Sequence, residues 1–200
     1  MTKVLGISID GIIRDFLSQL SKVYDEQIGK PNLPVTSYKL EEHFLFPGGL
    51  KELNQFLYLE FPLEVFGWAK EQSFNVMNDI HKLNEKVKDY NYKIKLISKE
   101  IGKSKSSTLF FLSKVACQIE SIQFVPKEED KWDECDILLT TDPLVLKSKP
   151  ENKISIKFDT TYNKDAKSNY SIDNIKILLE DDIFLNEILN SEFIEHKEIL

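Results

Sequence analysis

Residues 3–9, Lys-Val-Leu-Gly-Ile-Ser-Ile, form a short run of mostly branched apolar side chains that stops at Asp10-Gly11. That pattern predicts a strand buried on both faces. From Ile12 to about Ile28 the apolar positions Ile13, Phe16, Leu17, Leu20, Val23 and Tyr24 recur at helical spacing, and Gly29 supplies a stop signal. Pro31 and Pro34 break that pattern, and residues 39–83 read as several helices separated by Phe46-Pro47-Gly48-Gly49 and Phe61-Pro62. A second strand is predicted from Tyr92 to Ile97, ending on Ser98 before a loop with Gly102. Ser106 or Ser107 is positioned to cap a helix running to about Glu120, with Leu109, Phe110, Leu112, Val115 and Ala116 apolar. Three further apolar runs, Ser121 to Val125, Cys135 to Leu139 and Lys153 to Phe158, predict strands, and an acidic helix is expected near Ile172 to Leu189.

Strands alternating with helices in this order specify an α/β fold, a parallel sheet covered on both faces. The predicted core takes residues 1–28 and 90–200, and residues 29–89 form a helical insertion. Ligand sites in such sheets lie at the carboxyl ends of the strands. Ser8, Asp10, Ser98 and the loop after Leu139 therefore point to one crevice, although Asp-Gly after a strand is also a common turn and Ser98 is equally a loop serine.

Composition narrows the chemistry. The 200 residues carry a formal net charge of -7, so broad attraction to nucleic acid or to an anionic membrane surface is not expected. No apolar run has the length of a membrane span, and the interrupted start at Met1-Thr2-Lys3 does not resemble a signal peptide. Cys117 and Cys135 lack a Cys-x-x-Cys spacing and read as reduced thiols of a cytoplasmic protein. His43, His81 and His196 are too dispersed for a zinc site and read as surface or capping residues. Of 26 basic residues only Arg14 is an arginine, the side chain otherwise preferred for bidentate recognition of phosphate or carboxylate.

The segment Val4-Leu5-Gly6-Ile7-Ser8-Ile9-Asp10-Gly11-Ile12-Ile13-Arg14-Asp15-Phe16 resembles the first motif of the haloacid dehalogenase superfamily, in its 5'(3')-deoxyribonucleotidase branch. The resemblance implies a three-layer Rossmann-like sheet with a small helical cap, and a first motif in which an Asp attacks phosphorus while a second shuttles the proton. Ser8 stands where the nucleophilic Asp belongs, and Asp10 matches the second. Ser98 matches the second motif, whose hydroxyl binds phosphoryl oxygens, and Lys127 or Lys131 matches the phosphate-neutralising lysine. Their Lys-Glu-Glu-Asp-Lys run is equally what a solvated loop contains. The fourth motif, normally an acidic pair, corresponds to Asp136-Ile137-Leu138-Leu139-Thr140-Thr141-Asp142-Pro143, with Thr140 and Thr141 in place of the carboxylates and Asp142 displaced toward the proline. The segment from Ile156 to Lys164 resembles the strand and Tyr-Asn loop of bacterial and viral members of that branch.

Loss of a carboxylate at Ser8 and at Thr140 removes both a nucleophile and two anionic magnesium ligands, and a serine needs a neighbouring base to replace the first. The expectation is a catalytically inactive relative kept for a structural or assembly role, for instance in a phage virion, with protein partners and no cofactor. Phe44, Phe46, Phe56, Leu57, Tyr58, Phe61, Phe66 and Trp68 of the insertion would then supply either a partner surface or a small core. Two other expectations stand beside it. One is a module that binds a nucleotide or phosphate through Ser8, Asp10, Gly11 and Ser98 without cleaving it. The other is a working phosphatase in which Asp10 and Asp142 hold Mg2+.

Overall fold

A computed structural model describes residues 2–191; His196 lies outside them. Six strands, β1 (Lys3–Ser8), β2 (Tyr92–Lys99), β3 (Ile122–Val125), β4 (Ile137–Thr140), β5 (Ile154–Phe158) and β6 (Tyr170–Ile172), form one sheet in the order β3-β2-β1-β4-β5-β6. Every pairing is parallel. The helices are α1 (Phe16–Ile28), α2 (Gly49–Gln55), α3 (Val76–Lys88), α4 (Ser104–Lys114), α5 (Pro143–Lys147), α6 (Ile177–Glu180) and α7 (Asp182–Asn190). This is the three-layer α/β architecture that the alternation predicts.

Alternation along the strands distributes the core. Leu5 and Ile7 of β1, Ile94 and Leu96 of β2, Ile137 and Leu139 of β4, and Ile154 and Ile156 of β5 join α3, α6 and α7 in one buried cluster. Ile97, Leu138 and Val125 point the other way and meet Trp132, Cys135 and Val145 of α5. A parallel strand buried on both sides must be apolar at consecutive positions, which is why these segments stand out in the sequence. A third cluster joins Leu20, Val23 and Tyr24 of α1 to Phe44, Leu53, Phe56, Leu57, Val65 and Phe66. By packing, the insertion's own core therefore includes one face of α1, and α3 belongs to the sheet.

Three boundaries differ from the periodicity for local reasons. The first helix starts at Phe16, not Ile12, because residues 11–14 close a tight turn in which the amides of Ile13 and Arg14 both donate to the Ile9 carbonyl. Asp15 then caps the helix by accepting from the Ser18 amide at 3.3 Å. α4 begins at Ser104 and ends at Lys114, short of Glu120; the Ser106 and Ser107 hydroxyls donate back to the Lys103 carbonyl instead of capping, and Ala116 turns the chain with φ 53°. Ile172, the predicted start of the last helix, is instead the final residue of the edge strand β6, three residues long and invisible to a period count, and the helical stretch after it is divided into α6 and α7. Asp181 caps α7 by accepting from the Phe184 amide at 2.9 Å.

β1 lies at the centre, and chain order reverses between β1 and β4, so the crevice expected at a topological switch point falls at their carboxyl ends. Gly6 holds this centre tight, since a Cβ there would meet Ile97 Cδ1 at 2.8 Å and Cys135 Sγ at 2.9 Å. Gly6→Ala is expected to lower unfolding free energy by about 1–3 kcal/mol through overpacking, measured by urea denaturation, with the denaturant slope unchanged.

Candidate functional site

The crevice between the sheet and the insertion encloses about 600 Å³. Ser8, Asp10, Gly11, Lys131, Thr140, Thr141 and Asp142 line its floor, and Tyr38, Leu53, Leu57, Tyr58 and Phe66 are among the residues of its insertion side. Most sequence-predicted site residues thus converge. Two do not. Lys127 is exposed and outside the crevice, while Ser98 is buried and its hydroxyl donates to Glu100 Oε1 at 2.9 Å rather than lining the cavity. Of the two candidate lysines, then, it is Lys131 that faces the site.

Each floor residue is fixed by its own strand or turn. Ser8 ends β1, and Lys131 Nζ donates to its Oγ at 3.4 Å. Gly11 has φ 77°, and a Cβ there would meet Thr141 side-chain atoms at 2.9 Å, so glycine is required both by the dihedral and by the contact. The Thr141 hydroxyl donates to the Asp10 carbonyl at 3.4 Å, and Asn163 donates to the Thr141 carbonyl at 2.9 Å, tying the loops after β1, β4 and β5 together.

The charged groups of the floor are engaged by other groups of the fold. Lys131 forms an ion pair with Glu128 at 2.6 Å. Burial alone would lower the lysine pKa, but Glu128, with Asp142 and Asp10 behind it, outweighs burial and holds it above the ordinary value. An ammonium kept charged cannot take a proton from Ser8. Asp10 Oδ1 is paired with Arg14 Nε at 2.6 Å. Asp142 is the cap of α5: Oδ1 accepts from the amides of Leu144 at 2.7 Å and Val145 at 3.2 Å, and Oδ2 accepts from the Tyr38 hydroxyl of the insertion. Burial raises the Asp142 pKa above the ordinary 3.8 and Glu128 adds to it, against the lowering effect of the Tyr38 hydrogen bond.

No protein-family model and no curated protein matches the chain. Among solved structures, a dehalogenase in an intermediate complex superposes with a TM-score of 0.56 at 11% identity, covering 89% of this chain and 96% of that one. A haloacid dehalogenase-like hydrolase from Burkholderia xenovorans LB400 gives 0.55 at 12%, covering 90% and 95%. The fold is haloacid dehalogenase-like.

Within that fold the side chains present do not fit a magnesium ion. Magnesium takes near-octahedral oxygen coordination with one or two carboxylates. Both Asp142 oxygens are engaged by protein donors, one Asp10 oxygen belongs to Arg14, and the Lys131 ammonium stands against Ser8. Among the described residues, no group of three or more His, Cys, Asp or Glu side chains converges to hold a metal. His43 is buried and its Nε2 accepts from the Ser37 amide at 3.2 Å, and His81 accepts from the Gln118 amide at 2.9 Å.

Glu128 and Tyr38 line the crevice and Arg14 holds Asp10 from behind it, and motif matching misses all three. Only Arg14 carried a signal, as the one arginine in the chain and a neighbour of the motif.

Tyr38→Phe leaves a buried carboxylate oxygen without its donor and should cost about 1–3 kcal/mol, with faster amide exchange concentrated in residues 35–60. A pH dependence follows from the raised Asp142 pKa. A carboxyl whose folded pKa exceeds its unfolded one contributes stability that is full below pH 3.8 and fades as pH rises through the folded value. Asp142→Asn should therefore flatten the stability profile just above pH 3.8, as measured by chemical denaturation at stepped pH.

Proposed function

We propose that this chain is a non-hydrolysing protein on a haloacid dehalogenase-like scaffold, whose crevice serves to bind a small ligand. The observation that carries the proposal is that the floor's carboxylates and its lysine are already engaged within the fold: Asp10 with Arg14, Lys131 with Glu128, and Asp142 with Tyr38 and the start of α5. Ser8 has a hydroxyl but no base, since its neighbour Lys131 is held protonated. Asp10, the other candidate base, has one carboxylate oxygen occupied by the Arg14 guanidinium at 2.6 Å.

What supports binding is the cavity itself. About 600 Å³ with a polar floor and an apolar wall falls in the size range of small-molecule sites. The Ser8 hydroxyl and the remaining hydrogen of the Lys131 ammonium offer donors to an acceptor group, and a nucleotide or phosphate is the ligand that the motif resemblance suggests.

A structural or assembly role, including one in a phage particle, is the second reading, and its support is narrower. Of the eight insertion residues considered for a partner surface, Phe44, Phe56, Leu57 and Phe66 are buried, and Phe46, Tyr58 and Phe61 pack against their cluster. Trp68 is the exception at 55% exposed, stacked edge-on to Phe110 with 5.1 Å between ring centroids. Those two rings are where a protein partner would be sought.

Incubation with deoxynucleoside monophosphates and magnesium should release no phosphate above the uncatalysed background, and turnover at roughly 1 per second or more, an ordinary enzyme rate, would refute the proposal. Ser8→Asp with Thr140→Asp should recover at most weak turnover, because Asp10 and Asp142 stay engaged.

A further inference from the structure

Behind the crevice floor lies a charged cluster that ligand binding does not use. Arg14 has no solvent-accessible surface at all. Its Nε donates to Asp10 Oδ1 at 2.6 Å on the motif loop, and one terminal nitrogen donates to Thr108 Oγ1 at 2.6 Å on α4 and to the Phe66 carbonyl at 3.3 Å in the insertion. The other terminal nitrogen donates to Glu100 Oε1 at 3.3 Å, just beyond β2. Thr108 and Ser98 donate to the same Glu100 oxygen at 2.5 and 2.9 Å. The guanidinium carbon lies 4.8 Å from the centre of the Phe66 ring and 5.4 Å from that of Phe111.

Two carboxylates converge here, and Glu100 is itself buried. Without a positive charge between them, Glu100 would be a desolvated anion repelled by Asp10, whose side chain is 34% exposed on the crevice side. A divalent ion is one solution to such a pair. This chain carries another, because the planar guanidinium supplies fixed donors in several directions and never loses its proton.

We propose that Arg14 is the built-in counter-cation of this crevice, doing from inside the fold the charge-neutralising work that a divalent ion would otherwise do from solvent. One residue thereby fastens four segments at a single point: the loop after β1, the end of β2, α4, and the 63–67 turn of the insertion. The folded crevice needs no metal for its assembly. The proposal shares with the non-hydrolysing reading the misfit to magnesium, but its readout is folding rather than turnover, so either can fail alone.

The test is a charge-rescue cycle followed by thermal unfolding. Arg14→Met keeps an apolar stem in the same space and removes the charge; its Tm should fall by about 10 °C. Adding Asp10→Asn and Glu100→Gln to Arg14→Met should restore at least half of that loss, because the stranded carboxylates are gone. In the wild-type background the same two changes should instead lower Tm, since they strand the guanidinium. If Arg14→Met fails to fold, recovery of a cooperative transition in the triple variant gives the same answer. A triple variant no more stable than Arg14→Met would show that Arg14 acts only by packing and would overturn the proposal, as would a wild-type Tm that rises by several degrees on replacing EDTA with magnesium.

Discussion

A guanidinium cut off from water has to find its counter-charges and acceptors within the fold, and the crevice of this protein is arranged around that requirement. Arg14 fixes Asp10, and Asp10 in turn accepts the Thr141 hydroxyl through its backbone, so the loops after β1 and β4 are held in one geometry. The same cation anchors Glu100, which organises the hydroxyls of Ser98 and Thr108. A serine that the motif assigns to phosphate contact thereby becomes part of an internal network. All three of these donors go to Glu100 Oε1, while Oε2 is buried without a hydrogen-bond partner, so removing the Arg14 charge from such a network is costly.

The second constraint is steric. β1 is the hub of a parallel sheet whose order reverses beside it, and this brings Ser8, Gly11, Thr140 and Asp142 within one cavity. A scaffold of this kind can host many chemistries, so the activity has to be argued from the side chains at that point and not from the sheet. Here Asp142, a buried acidic group of the floor, has become a helix cap and a tether for Tyr38 of the insertion. The insertion is thus attached to the core through a residue that would otherwise be free to face a ligand.

Much of the architecture was legible in the chain because consecutive apolar residues and Gly or Pro punctuation are local properties. The five longer strands, α1, and the helical insertion all left such traces. β6 did not, since Tyr170-Ser171-Ile172 is too short to show a period and owes its form to pairing with β5. The convergence of Ser8, Asp10, Thr140, Thr141 and Asp142 followed from topology. The placement of Ser98 and Lys127 did not, because a side chain's partner is decided by contacts remote in sequence. Arg14 and Glu100 are 86 residues apart and Arg14 and Thr108 are 94 apart, and no local pattern announces either contact. The one available hint was compositional: a lone arginine beside the motif among 26 basic residues.

The central claim is that the protein's own side chains have closed the crevice to a divalent ion. The most direct test is a crystal grown with manganese and measured for anomalous scattering. The account predicts Arg14 Nε on Asp10, Tyr38 on Asp142, and no anomalous peak within coordinating distance of Ser8, Asp10 or Asp142. A well-ordered manganese ion there, with Asp142 turned away from Tyr38 to ligate it, would contradict the account.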